Sequence, residues 1–270
     1  MERIQWDDLA PALKDRIAAR TGPVITARAV TDGQNSPLAA VVETTAGKVF
    51  VKGLPSSHRQ ARTQNREAAA AQLVSGISPQ LLWQFDEGWN VLGFEHIQGR
   101  AASYAPGSPD LPLITRLMGS LATVKVPDDH GPVKYADDRW KPYLDDPRDA
   151  QALTGTALLH TDWMPDNVII SDGRAWLIDW AWATIGAPWI DPACWLVRLI
   201  AHGHPIREAE ATARQLPAYA SADPAHVAVF ARANANTWNE IEHANPAPWT
   251  QAMTAASRAW AAHRETAARP

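Results

Sequence analysis

The chain has 270 residues, of which 46% are hydrophobic and 20% are charged, so it is long enough to bury a sizeable core in one large domain or two lobes. Its formal net charge of -4 supplies no general positive field, which argues against nucleic acid or an anionic membrane surface as a partner. A single cysteine rules out an intramolecular disulfide, and no apolar run reaches the roughly 18 to 20 residues that span a bilayer, so we expect a cytoplasmic protein.

The first 95 residues are predicted to form one small sheet with two helices. Apolar residues at a four-residue spacing predict an amphipathic helix over residues 6–20. A second, alanine-rich helix is predicted over residues 59–74, with Ser56 and Ser57 as candidate caps. Apolar runs separated by turn residues predict five antiparallel strands, at residues 24–30, 37–44, 48–52, 81–85 and 91–94.

After Gly99 the pattern becomes mainly helical. Helices are predicted over residues 111–124 and over most of 191–267, and a compact block of loops and strands at 158–180 lies between them. The boundary between the two parts is predicted at residues 95–100. The second helical stretch is interrupted by four prolines: Pro205, Pro217, Pro224 and Pro246.

The strongest chemical signal lies within this compact block. His160, Asp162 and Asn167 precede two short apolar runs joined by a Ser-Asp-Gly turn, and the second run ends on Asp179. Phosphoryl transfer needs a carboxylate to receive the proton of the attacking hydroxyl, and oxygen ligands to hold Mg²⁺ against the phosphates. A single aspartate in such a loop is ordinarily a solvated turn residue. The order His, Asp, Asn, hairpin, Asp favours a phosphotransferase site instead.

Residues 158–193 resemble the catalytic core of the aminoglycoside phosphotransferase family, the small-molecule branch of the protein-kinase-like fold. The resemblance implies that Asp162 is the catalytic base, that Asn167 and Asp179 ligate Mg²⁺, and that His160 braces the loop.

Asp191 matches the family's aspartate at the start of the next helix, and we expect it to cap that helix and to anchor the loop. The resemblance also implies an α+β, bilobal protein-kinase-like fold. Residues 1–95 would form a nucleotide-binding lobe, with a five-stranded antiparallel sheet and a helix. Residues 96–270 would form a mainly helical lobe with the catalytic loop and the substrate site.

Lys52 and Glu67 fit the ATP-binding part of the same scheme. Lys52 ends an alternating strand, as does the kinase lysine that contacts the α- and β-phosphates. Glu67 is the only carboxylate between Lys52 and Asp86, and it lies in the middle of the predicted helix. We therefore expect Lys52 and Glu67 to form an ion pair at the ATP site.

The remaining nucleotide contacts are expected from two segments. Residues 31–36 lie between the first two strands, where Gly33, Asn35 and Ser36 would contact the phosphates through backbone N–H groups and a hydroxyl. Glu95 and Ile97 fall at the predicted hinge and would bind adenine through their main chain.

The acceptor is expected to be a small molecule with a free hydroxyl. Thr161 stands where regulated protein kinases carry arginine, and the stretch from 180 to 191 leaves little room for an activation segment or a peptide platform. Trp163, next to the proposed base, is the first candidate for substrate contact, followed by Asp166 and Trp182.

The sequence leaves the identity of the acceptor open. An antibiotic such as an aminoglycoside or a peptide antibiotic is one candidate, and a metabolite such as a sugar, amino alcohol or nucleoside is another. A pseudokinase that binds nucleotide without catalysis is a less favoured interpretation. A monomer and a homodimer are both compatible with the sequence.

Overall fold

The structure, a computed structural model, describes residues 3–30 and 36–267. Its N-terminal part is built on one five-stranded antiparallel sheet with the strand order β1-β2-β3-β5-β4. This is the sheet predicted from the sequence. Its strands are β1 (Val24–Ala29), β2 (Leu38–Thr44), β3 (Gly47–Pro55), β4 (Leu81–Asp86) and β5 (Trp89–Glu95).

Two helices pack against this sheet, α1 (Pro11–Thr21) and α2 (Ala61–Ala71). Because successive strand residues point to opposite faces, neighbouring residues of β5 serve two separate cores. Val91 packs with Ile17 in the cluster on the α1 side, whereas Leu92 packs with Ala68 in the cluster on the α2 side. The sheet is thereby fixed to α2, the helix that carries Glu67.

Both predicted N-terminal helices begin later than expected. Residues 6–8 form only a 3₁₀ turn, because Pro11 opens a new helix at its first position. Helix α2 begins at Ala61, since β3 continues to Pro55. Ser56 does not cap α2; its hydroxyl donates to Asp86 instead.

The C-terminal part is mainly helical, as predicted. Prolines end or open its helices: Pro205 precedes α6, while Pro217 and Pro224 are the first residues of α7 and α8. The fixed φ angle of proline suits a first helical turn, and its missing N–H costs nothing there. The helices are α3 (Leu111–Leu121), α4 (Ala136–Trp140), α5 (Ile190–Ala201), α6 (Ile206–Ala213), α7 (Pro217–Ala220), α8 (Pro224–Ala244) and α9 (Pro248–Ala267).

Two small three-stranded sheets lie beside these helices, ordered β10-β9-β6 and β7-β11-β8. The β9–β10 hairpin lies where the sequence predicts it. The other four strands, of two or three residues each, were not predicted. Together the strands position residues 160–167 between β8 and β9. They are β6 (Arg100–Ala101), β7 (Lys134–Tyr135), β8 (Ala157–Leu159), β9 (Val168–Ser171), β10 (Arg174–Leu177) and β11 (Thr184–Gly186).

One large core fills the C-terminal part, where Trp195, Phe230 and Trp260 are completely buried. Among the described residues, no helix combines the length and the apolar character that crossing a bilayer requires.

Candidate active site

The backbone of the loop at residues 160–167 is held by the buried carboxylate of Asp191. Its Oδ2 accepts the His160 N–H and its Oδ1 accepts the Thr161 N–H, both at 2.8 Å. Thr161 has a φ of 68°, a left-handed conformation that is costly for a β-branched residue, so these bonds stabilise a strained turn. Burial raises the pKa of Asp191, and the His160 N–H opposes that rise. Asp191 anchors the loop as expected but does not cap α5, whose N-cap is Trp189.

His160 connects the loop to the end of the hairpin. Its Nε2 donates to the Ile178 carbonyl at 2.9 Å, and its Nδ1 accepts the Asp162 N–H at 3.3 Å. Trp180 and Trp163 pack edge-on against the ring, with centroids 4.8 Å and 5.9 Å away. The imidazole is completely buried, so it acts on the loop and not on a ligand.

Both carboxylate oxygens of Asp162 have partners. Oδ1 lies 3.0 Å from Nη2 of Arg198, and Oδ2 accepts from Nδ2 of Asn167 at 3.1 Å. The same Asn167 amide donates to the Asp162 carbonyl at 2.9 Å, which leaves the Asn167 side-chain carbonyl as an acceptor. Arg198 lies over the Trp238 ring at 4.9 Å, so its guanidinium is held from both sides. The orientation of Asp162 is therefore fixed.

Lys52, Glu67 and Asp179 form a second cluster. Nζ of Lys52 lies 2.8 Å from Oε2 of Glu67 and 3.1 Å from Oδ1 of Asp179. The three residues come from β3, α2 and the end of the hairpin, so this contact joins the two parts of the molecule. Asp179 adopts a left-handed conformation, with φ of 62° and ψ of 69°.

Burial and charge compete in this cluster. Burial lowers the pKa of Lys52, but the charges of Asp179 and Glu67 outweigh it and hold that pKa above its ordinary value. Burial raises the pKa of Glu67 to about 7, against the opposing charge of Lys52. For Asp179 burial also acts to raise the pKa, yet Lys52 overcomes it and the pKa is lowered. Lys52 is thus a fixed cation.

A cleft of about 350 Å³ lies between the sheet and the loop at residues 160–167. The structure brings many of the predicted residues to its walls. Asp162 is not one of the described residues that line the cleft, but its carboxylate is bonded to Asn167, which is. Glu95 donates its N–H to the Gln80 carbonyl at 2.9 Å, so that N–H is already engaged. The predicted residues that line the cleft are Ser36, Lys52, Glu67, Glu95, Ile97, Asp166, Asn167 and Asp179.

Of the predicted phosphate-covering segment, residues 31–36, the structure describes only Ser36. Gly33 and Asn35 lie outside the described residues. Ser36 is buried, lines the cleft, and accepts a hydrogen bond from Arg3 through its carbonyl.

The three residues predicted to contact substrate lie in three different environments. Trp163 is completely buried in the large core, so the prediction that it contacts substrate is wrong for this structure. Its large apolar area is satisfied by packing. Asp166 is exposed, but it lines the same cleft as Lys52. Trp182 is 41% exposed, and the Arg139 guanidinium lies over its ring at 5.2 Å.

Three arginines that contact the loop or the segment after Asp179 are not among the predicted site residues. Arg198 could have been suspected, since it is the one basic residue in the apolar helix α5. Arg66 and Arg139 give no such signal. Arg66 donates to the Ala181 carbonyl at 2.8 Å, and Arg139 donates to the Trp182 carbonyl at 2.9 Å.

A comparison of the sequence with family models gives one match, to the phosphotransferase enzyme family over residues 16–225. No curated protein sequence matches the chain.

Several solved structures share the fold. LicA, a choline kinase from Streptococcus pneumoniae, superposes with a TM-score of 0.65 at 15% identity, over 93% of this chain and 98% of its own. The GDP complex of aminoglycoside 2'-phosphotransferase-IIIa gives a TM-score of 0.62 at 16% identity, over 93% and 98%. A thermostable mutant of aminoglycoside phosphotransferase APH(4)-Ia, in a ternary complex with AMP-PNP and hygromycin B, gives a TM-score of 0.56 at 14% identity, over 92% and 98%. These similarities confirm the predicted bilobal, protein-kinase-like fold.

Proposed function

Because this chain belongs to the phosphotransferase enzyme family and is a kinase that acts on small molecules, we propose that it transfers the γ-phosphate of ATP to a hydroxyl of its acceptor. One observation carries the proposal. Lys52 lies 2.8 Å from Glu67 and 3.1 Å from Asp179 at a cleft that Asn167 also lines, and the Asn167 amide is bonded to Asp162. Phosphoryl transfer is mostly positioning and charge stabilisation, which this arrangement supplies.

The two parts of the chain would bind different substrates of the reaction. We assign residues 1–95 to the nucleotide-binding lobe and residues 96–270 to the lobe with the catalytic loop and the acceptor site. Lys52 would contact the phosphates, and Ile97 and the Glu95 carbonyl would meet the adenine. Gly33, Asn35 and Ser36 remain our candidates for covering the phosphates.

The donor set fits magnesium. Mg²⁺ prefers oxygen ligands and usually keeps several waters, taking only one or two protein side chains beside the phosphates. The hydrogen bonds described above leave the Asn167 side-chain carbonyl and Oδ2 of Asp179 available as acceptors. These two residues would hold the ion, which when bound neutralises charge on the β- and γ-phosphates.

Asp162 is the proposed base. As the acceptor oxygen forms its bond to the γ-phosphorus, the bond from that phosphorus to the bridging oxygen breaks, and ADP leaves. The hydroxyl proton passes to the Asp162 carboxylate. Arg198 and Asn167 hold this carboxylate in one orientation, so its geometry is set before the acceptor arrives.

Charge on the chain bears on the choice of acceptor. A polycationic ligand would favour free carboxylates in the segment before the loop, but two of the aspartates there are paired: Asp145 with Arg232 at 3.0 Å, and Asp146 with Arg148 at 2.6 Å. Arg198 lies beside the base itself. This arrangement favours a metabolite such as a sugar, amino alcohol or nucleoside over a polycationic aminoglycoside.

The test is label transfer from γ-labelled ATP with Mg²⁺ to a panel of sugars, amino alcohols, nucleosides, aminoglycosides and peptide antibiotics. We expect one class to be labelled, with Asp162→Asn lowering the rate at least about a hundredfold because the proton acceptor is lost. Asp172→Asn is the matched control, since Asp172 is an exposed turn residue. Equal transfer by the Asp162 and Asp172 variants would refute the role of Asp162, and ATP binding without transfer to any compound would favour a pseudokinase.

A further inference from the structure

Arg66 is a buried cation without an ionic partner. It precedes Glu67 in α2, and only 7% of it is exposed. Within the described ranges 3–30 and 36–267, no carboxylate forms an ion pair with it. Burial lowers the pKa of Arg66, and the positive charge of Arg62 adds to that effect. A guanidinium in such a place is costly unless its hydrogen bonds compensate.

Its hydrogen bonds go to two backbone carbonyls outside α2. Nη1 donates to the Ala181 carbonyl at 2.8 Å, and Nε donates to the Pro132 carbonyl at 3.3 Å. Ala181 follows Asp179 by two residues, and Pro132 precedes β7 by two. Since β7 pairs in parallel with β11, the strand after Ala181, both acceptors belong to one connected region of backbone. Arg66 therefore ties α2 to the segment that carries Asp179.

The next residue reaches the same segment through Lys52. Glu67 pairs with Lys52 at 2.8 Å, and Lys52 pairs with Asp179 at 3.1 Å. Consecutive residues of α2 are thus both linked to the segment at Asp179, Arg66 directly at Ala181 and Glu67 through Lys52. A displacement of α2 would break both contacts and separate Glu67 from Lys52.

We propose that Arg66 is a positioning residue that locks α2 onto residues 180–182 and so holds Glu67 in place beside Lys52. This inference rests on the proposed function only for its kinetic consequence. The lock itself is a property of the fold.

The first test replaces the guanidinium by an apolar side chain of similar length. We expect Arg66→Met to lower kcat/KM for ATP by about tenfold to a hundredfold, because two hydrogen bonds from a charged donor are lost. Arg66→Lys should recover part of this, since a lysine can reach one carbonyl but not both. Arg62→Met, on the same helix but exposed, is the matched control and should stay within twofold of the wild type.

The second test separates positioning from general stability. If Arg66 acts through the Lys52–Glu67 pair, Arg66→Met should cost less than about threefold once Glu67→Gln has already removed that pair. Effects that multiply in the double variant would overturn the proposal, as would an Arg66→Met enzyme with wild-type kinetics.

A third readout does not depend on catalysis. Amide hydrogen exchange should become faster in residues 61–71 and 180–182 of Arg66→Met, but not in Arg62→Met. Unchanged exchange in both segments would overturn the lock even if activity fell. A wild-type chain that transfers no phosphate would instead refute the proposed function, and the exchange result would still decide the role of Arg66.

Discussion

Glu67 is an acid of the site whose charge depends on pH near neutrality. Burial raises its pKa to about 7, although Lys52 lies 2.8 Å away. Lys52 keeps its charge throughout this range, because Asp179 and Glu67 together raise its pKa. The ion pair is therefore complete only above the pKa of Glu67. Below that pKa, the protonated carboxyl group remains a hydrogen-bonding partner but carries no charge.

This difference predicts a pH profile. As pH falls through about 7, Glu67 gains a proton and its attraction for Lys52 weakens. The value of kcat/KM for ATP should therefore decrease, and a plot of its logarithm against pH should have the slope expected for the uptake of one proton. Measuring initial rates between pH 6 and 8 would test the prediction.

The matched variant is Glu67→Gln, which is neutral at every pH. Its kcat/KM should be at least about tenfold lower than that of the wild type at pH 8, because a charge-assisted bond is lost. It should also be flat between pH 6 and 8. If kcat/KM of this variant also fell as pH decreased through 7, the titrating group would be one other than Glu67.

At the scale of secondary-structure elements, one carboxylate connects α5 to the loop at residues 160–167. Asp191 is 2% exposed and uses both oxygens on two adjacent N–H groups at 2.8 Å. Those bonds hold Thr161 at a φ of 68°. The loop conformation that presents Asp162 is thus imposed by a helix 30 residues further along the chain.

We expect Asp191→Asn to disturb both folding and activity. An asparagine offers one acceptor oxygen and places an amide against the other N–H, so a buried donor loses its partner. The free energy of unfolding should fall by about 1–3 kcal/mol. Denaturant titration would measure this loss, and kcat should fall with it because the loop is no longer fixed.

Asp172→Asn provides the comparison for Asp191→Asn. Asp172 is exposed and has a φ of 51°, a conformation that asparagine tolerates equally well. Its stability should remain within about 0.5 kcal/mol of the wild type. A comparable loss of unfolding free energy in both variants would show that the two hydrogen bonds of Asp191 do not stabilise the fold more than an exposed turn residue does.

The sequence predicts the elements whose signals are local. Five strands with alternating apolar residues and the proline-bounded helices are found close to their predicted positions, because periodicity and proline act within one element. The strands β6, β7, β8 and β11 were not predictable. Each has only two or three residues and exists because a distant segment pairs with it.

The same distinction applies to the site. Asp162, Asn167 and Asp179 lie in one linear motif and could be read directly from the sequence. Arg66 and Arg198 reach the site from separate helices, and their contacts depend on tertiary packing. Trp163 shows the opposite error: it is adjacent to Asp162 in sequence, but its ring points into the core.

At the scale of the whole molecule, the cleft is where the sheet and the helical part meet. Lys52 and Glu67 approach it from one side, and Asn167 and Asp179 from the other. A nucleotide bound there would contact both parts, so binding should stabilise the folded chain as a unit. A ligand at 100 times its Kd adds about 2.7 kcal/mol to the free energy of unfolding.

Thermal melting can therefore test the nucleotide and magnesium assignments together. At saturating ATP and Mg²⁺ we expect Tm to rise by roughly 5–10 °C, as follows from a few degrees per kcal/mol for a chain of this size. ATP without Mg²⁺ should give a smaller shift, because the phosphates then lack their counterion. Asp179→Asn should abolish the difference in Tm between the two conditions, because it removes the charge of a proposed Mg²⁺ ligand. The substitution adds no backbone strain, since asparagine tolerates the left-handed φ of 62° at this position. Equal shifts with and without Mg²⁺ in the wild type would show that the cleft holds nucleotide without the metal.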